Sequence, residues 1–351
     1  MKEEVVVAGG GIAGLESALR LERKGFKVKL VDPEDGLFFY PSGHRIIDGD
    51  PAEEVTINYE RKFQDRGIEH IKASVTDLDK EGKRVSTTSG KLDFDYLVLA
   101  LGSEANFFGI ETDETELMRY KEDLEEINDR IEKKDSLEAF VVGGGATGLE
   151  AAASLSERKN VDVIVLQAVN RLVPQLNEKT SEKALKILEN KGVNINLNEA
   201  VEEIEDEEIK TSDSTYNADL IIWAAGIKKR EFLNDLELSQ NDKGLLVDEH
   251  QRIEGEENIF AVGDNCFYDG KKSRALYALF ESKAAAKNIY RTENSKNLVE
   301  RQIHYDPILL YMGKHSSILE LKNFCFSGLI PSLIEKFGVE KRYMLLRKHI
   351  L

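Results

Sequence analysis

The chain has 351 residues, of which 41% are hydrophobic and 32% charged, so it can bury a large core and form two or more domains. Its 65 acidic and 48 basic side chains give a net charge of -17, which disfavours nucleic-acid or anionic-membrane binding as a main role. Cys266 and Cys325 stand far apart, which argues against a disulfide scaffold or a zinc site. The sequence contains no leader-like segment and no apolar stretch of membrane-spanning length, so we expect a cytoplasmic protein.

The first predicted elements are a buried strand, EVVVAG, a glycine-rich turn and a helix, IAGLESALRLERKG. Gly9 permits the tight turn, Gly11 lets a pyrophosphate approach the backbone, and Gly14 lets the helix lie close to the strand. A second strand, KVKLVD, ends at Asp32, where a carboxylate can accept hydrogen bonds from ribose hydroxyls. This strand, turn, helix and strand predict a dinucleotide site.

The same pattern returns further along the chain as AFVVGG, LEAAASLSERKN and VDVIVLQ. Gly143, Gly145 and Gly148 occupy the three glycine positions of this second copy. Gln167 stands where the first copy has Asp32, so an amide replaces the acid and the bias against a ribose 2′-phosphate is absent. The repeat predicts a second dinucleotide site and leaves open whether its nucleotide carries that phosphate.

Each glycine loop is followed by a strand and a small-residue turn, LVLALG ending at Gly102 and LIIWAAG ending at Gly226. The charged stretch Glu111–Ser136 between the two copies predicts a solvent-exposed helix. After the second copy, EENIFAVGDNC places Asp264 between a strand and the predicted helix RALYALFESKAAAKNIY. Asp264 can hold a sugar-alcohol hydroxyl close to a pyrophosphate, or it can cap the helix.

The C-terminal region begins with PILLYMGKHSSILELKNFCFSG, which predicts short strands or a hairpin. Residues 329–351 then combine apolar stripes with more basic than acidic side chains. A basic amphipathic segment can lie on a membrane, pack against its own domain or form a dimer face. All three alternatives stay open at this stage.

The order of these motifs resembles the flavoproteins with two dinucleotide-binding domains, a group that includes type II NADH dehydrogenases, sulfide:quinone oxidoreductases and apoptosis-inducing-factor-like reductases. The segments GGGATGLE and IIWAAG are most similar to type II NADH dehydrogenases. The resemblance implies an α/β fold with two Rossmann-like dinucleotide-binding domains, the second inserted in the first. It implies an FAD-binding domain at 1–110 and 241–290, an NAD(P)H-binding domain at 111–240, and a C-terminal segment at 291–351.

The resemblance also implies an FAD-dependent NAD(P)H oxidoreductase that passes a hydride from nicotinamide to flavin and electrons onward to a quinone-type acceptor. The residues implied for FAD are Gly9, Gly11, Gly14, Asp32, Gly102 and Asp264. The residues implied for the nicotinamide nucleotide are Gly143, Gly145, Gly148, Glu150, Gln167 and Gly226. Glu150 is the candidate catalytic residue, although a carboxylate in a first helical turn is also favoured by the helix dipole alone.

Three departures from the family patterns limit which functions can be inferred from the resemblance. The chain has no cysteine pair after the first helix and strand, and no cysteine between residues 140 and 230, which disfavours disulfide reduction and sulfide oxidation. Ala275, Leu276, Phe280 and Glu281 occupy the segment where type II NADH dehydrogenases carry glutamines near the quinone. The alternatives are a soluble reductase with a protein or small-molecule acceptor, a sulfide:quinone oxidoreductase-like enzyme, and a slow NAD(H)-binding flavoprotein. A peripheral membrane contact and a homodimer are further expectations.

Overall fold

The structure is a computed structural model that describes residues 3–303, 307–322 and 324–334. The helices are α1 (Ile12–Arg23), α2 (His44–Ile47), α3 (Tyr59–Phe63), α4 (Lys121–Lys133), α5 (Ala146–Leu155), α6 (Glu178–Asn190) and α7 (Ala275–Glu293). The strands of the first half are β1 (Glu4–Ala8), β2 (Lys27–Val31), β3 (Gly36–Phe38), β4 (Thr56–Asn58), β5 (Ile68–Ile71), β6 (Val75–Asp79), β7 (Arg84–Thr87), β8 (Gly90–Asp93), β9 (Tyr96–Leu99), β10 (Ser103–Ala105), β11 (Leu137–Val142) and β12 (Val161–Gln167). The remaining strands are β13 (Asn194–Leu197), β14 (Val201–Glu205), β15 (Glu208–Thr211), β16 (Thr215–Asn217), β17 (Leu220–Trp223), β18 (Ile227–Lys229), β19 (Gln240–Asn241), β20 (Gly244–Leu246), β21 (Ile259–Ala261), β22 (Cys266–Phe267), β23 (Ile308–Tyr311), β24 (Ser317–Leu321) and β25 (Phe324–Gly328).

The chain forms two compact units, each assembled from three stretches of sequence. Unit 1 takes the described residues of 1–37, 56–104 and 227–305. Unit 2 takes the described residues of 38–55, 105–226 and 306–351.

Unit 1 is built on a five-stranded sheet in the order β21-β9-β1-β2-β5, and every neighbouring pair is parallel. The central strand β1 is a β-branched run whose residues Val5, Val6 and Val7 are fully buried, as expected for a strand covered on both faces. Helix α1 packs against α7, where the Ser282 hydroxyl donates to the Ala13 carbonyl at 2.8 Å. An antiparallel sheet of β6, β7 and β8 adds to the unit.

Unit 2 repeats this plan with a four-stranded parallel sheet in the order β13-β12-β11-β17. Its antiparallel sheet consists of β14, β15 and β16. Helix α4 is shorter than the predicted charged helix over Glu111–Ser136, because Glu116 is extended and pairs with β17. The Glu116 N–H donates to the Ile221 carbonyl, and its own carbonyl accepts from the Trp223 N–H, both at 2.9 Å.

The C-terminal strands β23, β24 and β25 form an antiparallel sheet in unit 2, as the sequence predicted. Glu320 of β24 fixes this sheet to α6, because its carboxylate accepts from the Thr180 hydroxyl at 2.5 Å and the Asn177 N–H at 3.1 Å. Residues 329–334 are helical, and the rest of the predicted basic segment, 335–351, lies outside the described residues. The two parallel sheets, each with a glycine turn after its first strand, confirm the predicted α/β fold class.

Candidate functional site

The first glycine turn joins β1 to α1, and its three motif glycines have different structural roles. Gly9 has a φ of +101°, and its N–H donates to the Val31 carbonyl at 2.8 Å. A Cβ on Gly14 would lie 1.8 Å from the Gly9 oxygen, so the helix runs directly against the turn. Gly11 caps α1 with ordinary backbone angles and has open space where its side chain would be. That space, beside the N–H groups of a helix N-terminus, fits a phosphate.

Asp32 supports this turn from behind. Its carboxylate accepts from the Gly10 N–H at 2.5 Å and from the Glu34 N–H at 2.9 Å. Burial raises the pKa of Asp32, and these two hydrogen bonds oppose the rise. The Tyr59 hydroxyl donates to the Gly10 carbonyl at 2.5 Å, and the His70 ring lies 3.0 Å from the Asp32 carbonyl. A carboxylate has lone pairs beyond two, so Asp32 retains capacity for a ribose hydroxyl.

Asp264 lies beside the same turn, in the short 3₁₀ segment Gly263–Asn265. Gly263 has a φ of +76°, and a Cβ there would lie 2.9 Å from the Ala13 side chain near the start of α1. The Ser103 hydroxyl donates to the Asp264 carboxylate at 3.4 Å. Gly102, the residue before Ser103, has a φ of +71° and open space at its Cβ position. All six residues predicted for FAD therefore belong to unit 1.

A buried ion pair fixes the turn that carries Asp264. Glu281 is fully buried and accepts from the Gly263 N–H at 2.7 Å through one oxygen. Its other oxygen accepts from the Lys271 ammonium at 2.5 Å and from the Tyr268 hydroxyl at 2.9 Å. Glu281, one of the four residues in the segment where the sequence departs from the glutamine pattern, is thus a buried support of the turn.

The second glycine turn reproduces the first within unit 2. Gly143 has a φ of +110°, and its N–H donates to the Leu166 carbonyl at 2.8 Å. A Cβ on Gly148 would lie 1.9 Å from the Gly143 oxygen. Gly145 caps α5 with extended backbone angles and has open space at its Cβ position, as Gly11 has in the first copy. Unit 2 therefore offers a second phosphate cradle of the same shape.

Gln167 supports the second turn as Asp32 supports the first. Its side-chain oxygen accepts from the Gly144 N–H at 2.8 Å, and its amide nitrogen donates to the Arg171 carbonyl at 3.0 Å. The Gly144 carbonyl accepts from the Val173 N–H at 2.7 Å, whereas the Gly10 carbonyl of unit 1 accepts from the Tyr59 hydroxyl. The Arg171 guanidinium donates to carbonyls of its own loop, those of Pro174 and Leu176.

Glu150 is the fifth residue of α5 and lies in its second turn, so the first-turn position expected from the sequence is wrong. Glu150 lies next to a buried polar cluster. Its carboxylate accepts weakly from the Tyr311 N–H at 3.4 Å. The Tyr311 hydroxyl donates to Asp48 at 2.6 Å, and the Tyr311 ring stacks on His44 with 4.0 Å between the ring centroids. Burial lowers the pKa of His44 from 6.5 to about 3, so this imidazole is neutral.

The last predicted nucleotide residue, Gly226, has a φ of +143° and follows β17. A Cβ on Gly143 would lie 2.6 Å from the Ala224 carbonyl, so the turn after β17 lies against the glycine turn after β11. Gly143, Gly145, Gly148, Glu150, Gln167 and Gly226 all belong to unit 2.

Three supporting side chains were not predicted from the sequence: Tyr59 behind Gly10, Lys271 beside Glu281, and Tyr311 beside Glu150. Tyr59 lies 49 residues from Gly10 along the chain. No local sequence pattern links positions this far apart, and the sequence shows only that position 10 is a glycine. A Cβ on Gly10 would lie 2.1 Å from the Tyr59 hydroxyl oxygen, so this position also requires glycine.

Cys266 does not provide a reactive thiolate. Cys266 is 1% exposed, and burial, together with the Glu281 carboxylate, raises the pKa of its thiol to about 12. That thiol stays protonated at neutral pH, whereas sulfur nucleophiles react as thiolates. Cys325 packs against the core of unit 2 from β25.

Two parallel sheets, each with a glycine turn between its first strand and the following helix, define a protein with two dinucleotide-binding folds in one chain. The chain belongs to the pyridine nucleotide-disulphide oxidoreductase family, whose model matches residues 3–282. This membership confirms the predicted family, the oxidoreductase activity and the cofactor pair, FAD with NAD(P)H.

The chain is similar to the type II NADH:quinone oxidoreductase of Staphylococcus aureus, with 24% identity in an alignment that covers 90% of this chain and 89% of that protein. Its fold is similar to NDH2 from Plasmodium falciparum in complex with NADH, with a TM-score of 0.87, 19% identity, and coverage of 99% of this chain and 97% of that one. It is also similar to the sulfide:quinone oxidoreductase of Aquifex aeolicus, with a TM-score of 0.82, 18% identity, and coverage of 99% and 92%. Among the described helices, none has the length and apolar content needed to cross a bilayer.

Proposed function

We propose that this protein is an FAD-dependent NADH:quinone oxidoreductase, with FAD in unit 1 and the nicotinamide nucleotide in unit 2. The observation that carries the proposal is the pair of matching cradles, in which Gly11 and Gly145 each leave open space at the N-terminus of a helix. FAD, when bound, accepts two electrons as a hydride from NADH and delivers them to the quinone. The similarity to type II NADH:quinone oxidoreductases supports the choice of both substrates.

The side chains of unit 1 fit a resident FAD. The N–H groups at the start of α1 are available for the pyrophosphate beside Gly11, and Asp32 lies behind them with acceptor capacity for a ribose hydroxyl. Asp264 is half-buried on a turn packed against the start of α1, where it can accept from a hydroxyl of the cofactor. The predicted boundaries of the FAD-binding domain, 1–110 and 241–290, stay a prediction. Unit 1, where we propose that FAD binds, differs from them by leaving out 38–55 and 105–110 and by including 227–240 and the described residues of 291–305.

NADH is the proposed nucleotide because, among the described residues, no side chain beside Gln167 is arranged to bind a 2′-phosphate. The amide carries no charge, and the Arg171 guanidinium is held by carbonyls of its own loop. Glu150 is proposed to orient the nicotinamide carboxamide, since a carboxylate accepts N–H groups and Glu150 lies on the helix that begins at the second glycine turn. Gln167, Arg171 and Glu150 all lie within 111–240, the range predicted for the NAD(P)H-binding domain.

An exposed apolar surface of unit 2 supports a membrane-dissolved acceptor. We call it the apolar edge; it consists of Phe324, Phe326, Leu329, Ile330, Leu333 and Ile334, between 44% and 73% exposed. The two phenylalanines share the outer face of β25, and the apolar residues of 329–334 follow directly. Large exposed apolar patches mark membrane or protein contacts. A peripheral membrane contact through this edge would bring the enzyme to its quinone, and a homodimer through the same edge is the alternative.

Anaerobic mixing tests the proposed reaction. The purified protein is expected to be yellow, to release FAD on denaturation, and to lose its flavin absorbance band within seconds of NADH addition. Addition of a water-soluble quinone analogue is then expected to restore the band. Colourless protein that cannot be reconstituted with FAD, or a flavin that NADH leaves oxidised, would overturn the proposal. Reoxidation only by a ferredoxin-like protein would replace the quinone by a protein acceptor.

Vesicle flotation tests the membrane contact. Full-length protein is expected to float with vesicles of zwitterionic lipid, and the double variant Phe324→Ser/Ile330→Ser is expected to stay in solution, because both side chains are exposed and contribute apolar area to the bilayer. Tyr120→Ser, at an aromatic position 39% exposed in the same unit, is the matched control. Equal flotation of both variants would exclude the apolar edge. Loss of a dimer from the double variant, with no vesicle binding by wild type, would assign the edge to self-association.

A further inference from the structure

The loop of residues 106–110 is fixed to the turn that ends β17. The Asn106 N–H donates to the Gly226 carbonyl at 3.0 Å. The Asn106 carbonyl accepts from the Trp223 indole N–H at 2.9 Å, and its side-chain oxygen accepts from the Phe108 N–H at 3.0 Å. Asn106 thus uses its backbone and its side chain to hold the loop in place. The position of Phe108 is therefore determined by the fold of unit 2.

Phe108 is held in a conformation that the fold alone does not favour. Its φ of +53° is in the left-handed region, where a bulky side chain is an outlier. Its ring is 68% exposed, so the strained backbone gains little burial in return. The adjacent Phe107 behaves differently and packs on Trp223, with 5.1 Å between the ring centroids. Strained residues of this kind cluster at ligand-binding sites.

The ring of Phe108 points to the end of the sheet where the second nucleotide cradle lies. Its Cζ atom is 3.9 Å from the Cβ position of Gly226. The turn that carries Gly226 lies against Gly143, the first glycine of the cradle. A flat apolar surface is thus presented beside Gly226, one of the residues predicted to bind the nicotinamide nucleotide.

We propose that Phe108 is a binding residue for the nicotinamide ring, against which its exposed aromatic face packs. This inference rests on the proposed function, because it requires a nicotinamide nucleotide in unit 2. Nicotinamide is a flat ring, and aromatic rings gain from offset or edge contacts with such rings. The contact would orient the nicotinamide and exclude water from one side of it. The adenosine half of the nucleotide, expected near Gln167, would not take part.

Calorimetric titration of the purified flavoprotein with two ligands tests this assignment. NAD⁺ carries the nicotinamide ring and cannot donate a hydride, whereas ADP-ribose lacks that ring and retains the rest. Phe108→Ala is expected to weaken NAD⁺ binding by about threefold to tenfold, the range that one aromatic contact provides, and to leave ADP-ribose binding unchanged. Phe108→Tyr is expected to bind both ligands as wild type does. Tyr120→Ala is the control for truncation of an exposed aromatic elsewhere in unit 2.

A second variant guards against an effect of folding. Asn is tolerated in the left-handed region, so Phe108→Asn is expected to melt at or above the wild-type temperature while losing NAD⁺ affinity as the alanine variant does. Equal NAD⁺ affinities for wild type and both truncations would overturn the inference, and so would a parallel loss of ADP-ribose binding. If wild type bound neither ligand, the proposed function itself would fail, which is a distinguishable result.

Discussion

Replacing one motif glycine should separate FAD binding from folding. Gly11 has ordinary backbone angles, and no atom lies within 4 Å of the position that a Cβ would take. Gly11→Ala is therefore expected to fold normally and to lose FAD, because the new methyl group fills the space assigned to the pyrophosphate. Gly9 and Gly14 allow no such substitution, because their Cβ atoms would lie 2.4 Å and 1.8 Å from backbone oxygens.

The magnitudes follow from these contacts. At Gly11, the reduced freedom of the unfolded chain stabilises the variant by about 0.4–1 kcal/mol. The poorer capping by alanine costs a similar amount, so the free energy of unfolding should change by less than about 1 kcal/mol. Loss of one hydrogen bond to a charged phosphate costs about 1.5–3 kcal/mol, which is about a tenfold to 150-fold rise in Kd for FAD. Gly14→Ala should instead destabilise the protein by at least about 1–3 kcal/mol, since backbone must move.

The assay compares apo-proteins. Urea unfolding of flavin-free wild type, Gly11→Ala and Gly14→Ala gives the free energy of unfolding of each protein. Quenching of FAD fluorescence during titration gives the Kd for FAD. Gly145→Ala is the matched control in the second copy, because its Cβ position is equally open. It should retain FAD and lose NADH-dependent bleaching. The reasoning is refuted if Gly11→Ala binds FAD with wild-type affinity, or if its apo-protein is destabilised as strongly as Gly14→Ala.

Three other predictions concern the buried polar side chains Gln167, His44 and Glu281. Gln167→Glu should raise the ratio of kcat/KM for NADH over NADPH by about tenfold or more, because a carboxylate repels a 2′-phosphate; an unchanged ratio would place that phosphate elsewhere. Burial lowers the pKa of His44 from 6.5 to about 3, so below pH 6.5 the unfolded state binds a proton that the folded state does not. The free energy of unfolding should therefore fall by up to about 1.4 kcal/mol per pH unit as the pH drops from 6.5 towards 3. Urea unfolding at pH 7 and pH 5 should show a shallower dependence for His44→Gln, and identical slopes would contradict the assignment. Glu281→Gln should destabilise the protein by about 3–5 kcal/mol because Lys271 is left buried without its counter-charge, and the double variant with Lys271→Met should recover part of that loss; failure to recover any would mean that the ion pair is not the cause.

The glycine turns could be predicted from the sequence because every part of them is local. A β-branched strand, three spaced glycines and an apolar helix occupy about twenty consecutive residues, and the pattern occurs twice. Comparison of the two copies also predicts which positions correspond. Asp32 accepts from the Gly10 N–H, and Gln167 accepts from the Gly144 N–H at the same position of the second turn. The sequence does not show that Gly11 has room for a side chain whereas Gly9 and Gly14 have none. That distinction depends on the φ angle of Gly9 and on nearby atoms of the turn itself and of Ala100, the residue after β9.

The supports of the site could not be predicted, because they join positions that only the tertiary structure brings together. The Tyr59 hydroxyl reaches the Gly10 carbonyl from a helix 49 residues away. Glu281 departs from a familiar glutamine pattern, and only its burial beside Lys271 and Gly263 shows what its carboxylate does. Phe108 gives no signal in sequence, since an exposed phenylalanine is ordinary until its backbone angle and its contact with Gly226 are known.

The two cradles differ in a way that matches the roles assigned to them. In unit 1, the middle glycine of the turn, Gly10, is held by the Asp32 carboxylate and the Tyr59 hydroxyl, both at 2.5 Å. In unit 2, Gly144 is held by the neutral amide of Gln167 and by a backbone N–H. A carboxylate acceptor forms the stronger hydrogen bond, so we expect the first turn to be the more rigid of the two. A rigid turn suits a cofactor that stays bound through each cycle, whereas the second turn needs only enough order to bind a nucleotide that must leave after giving up its hydride.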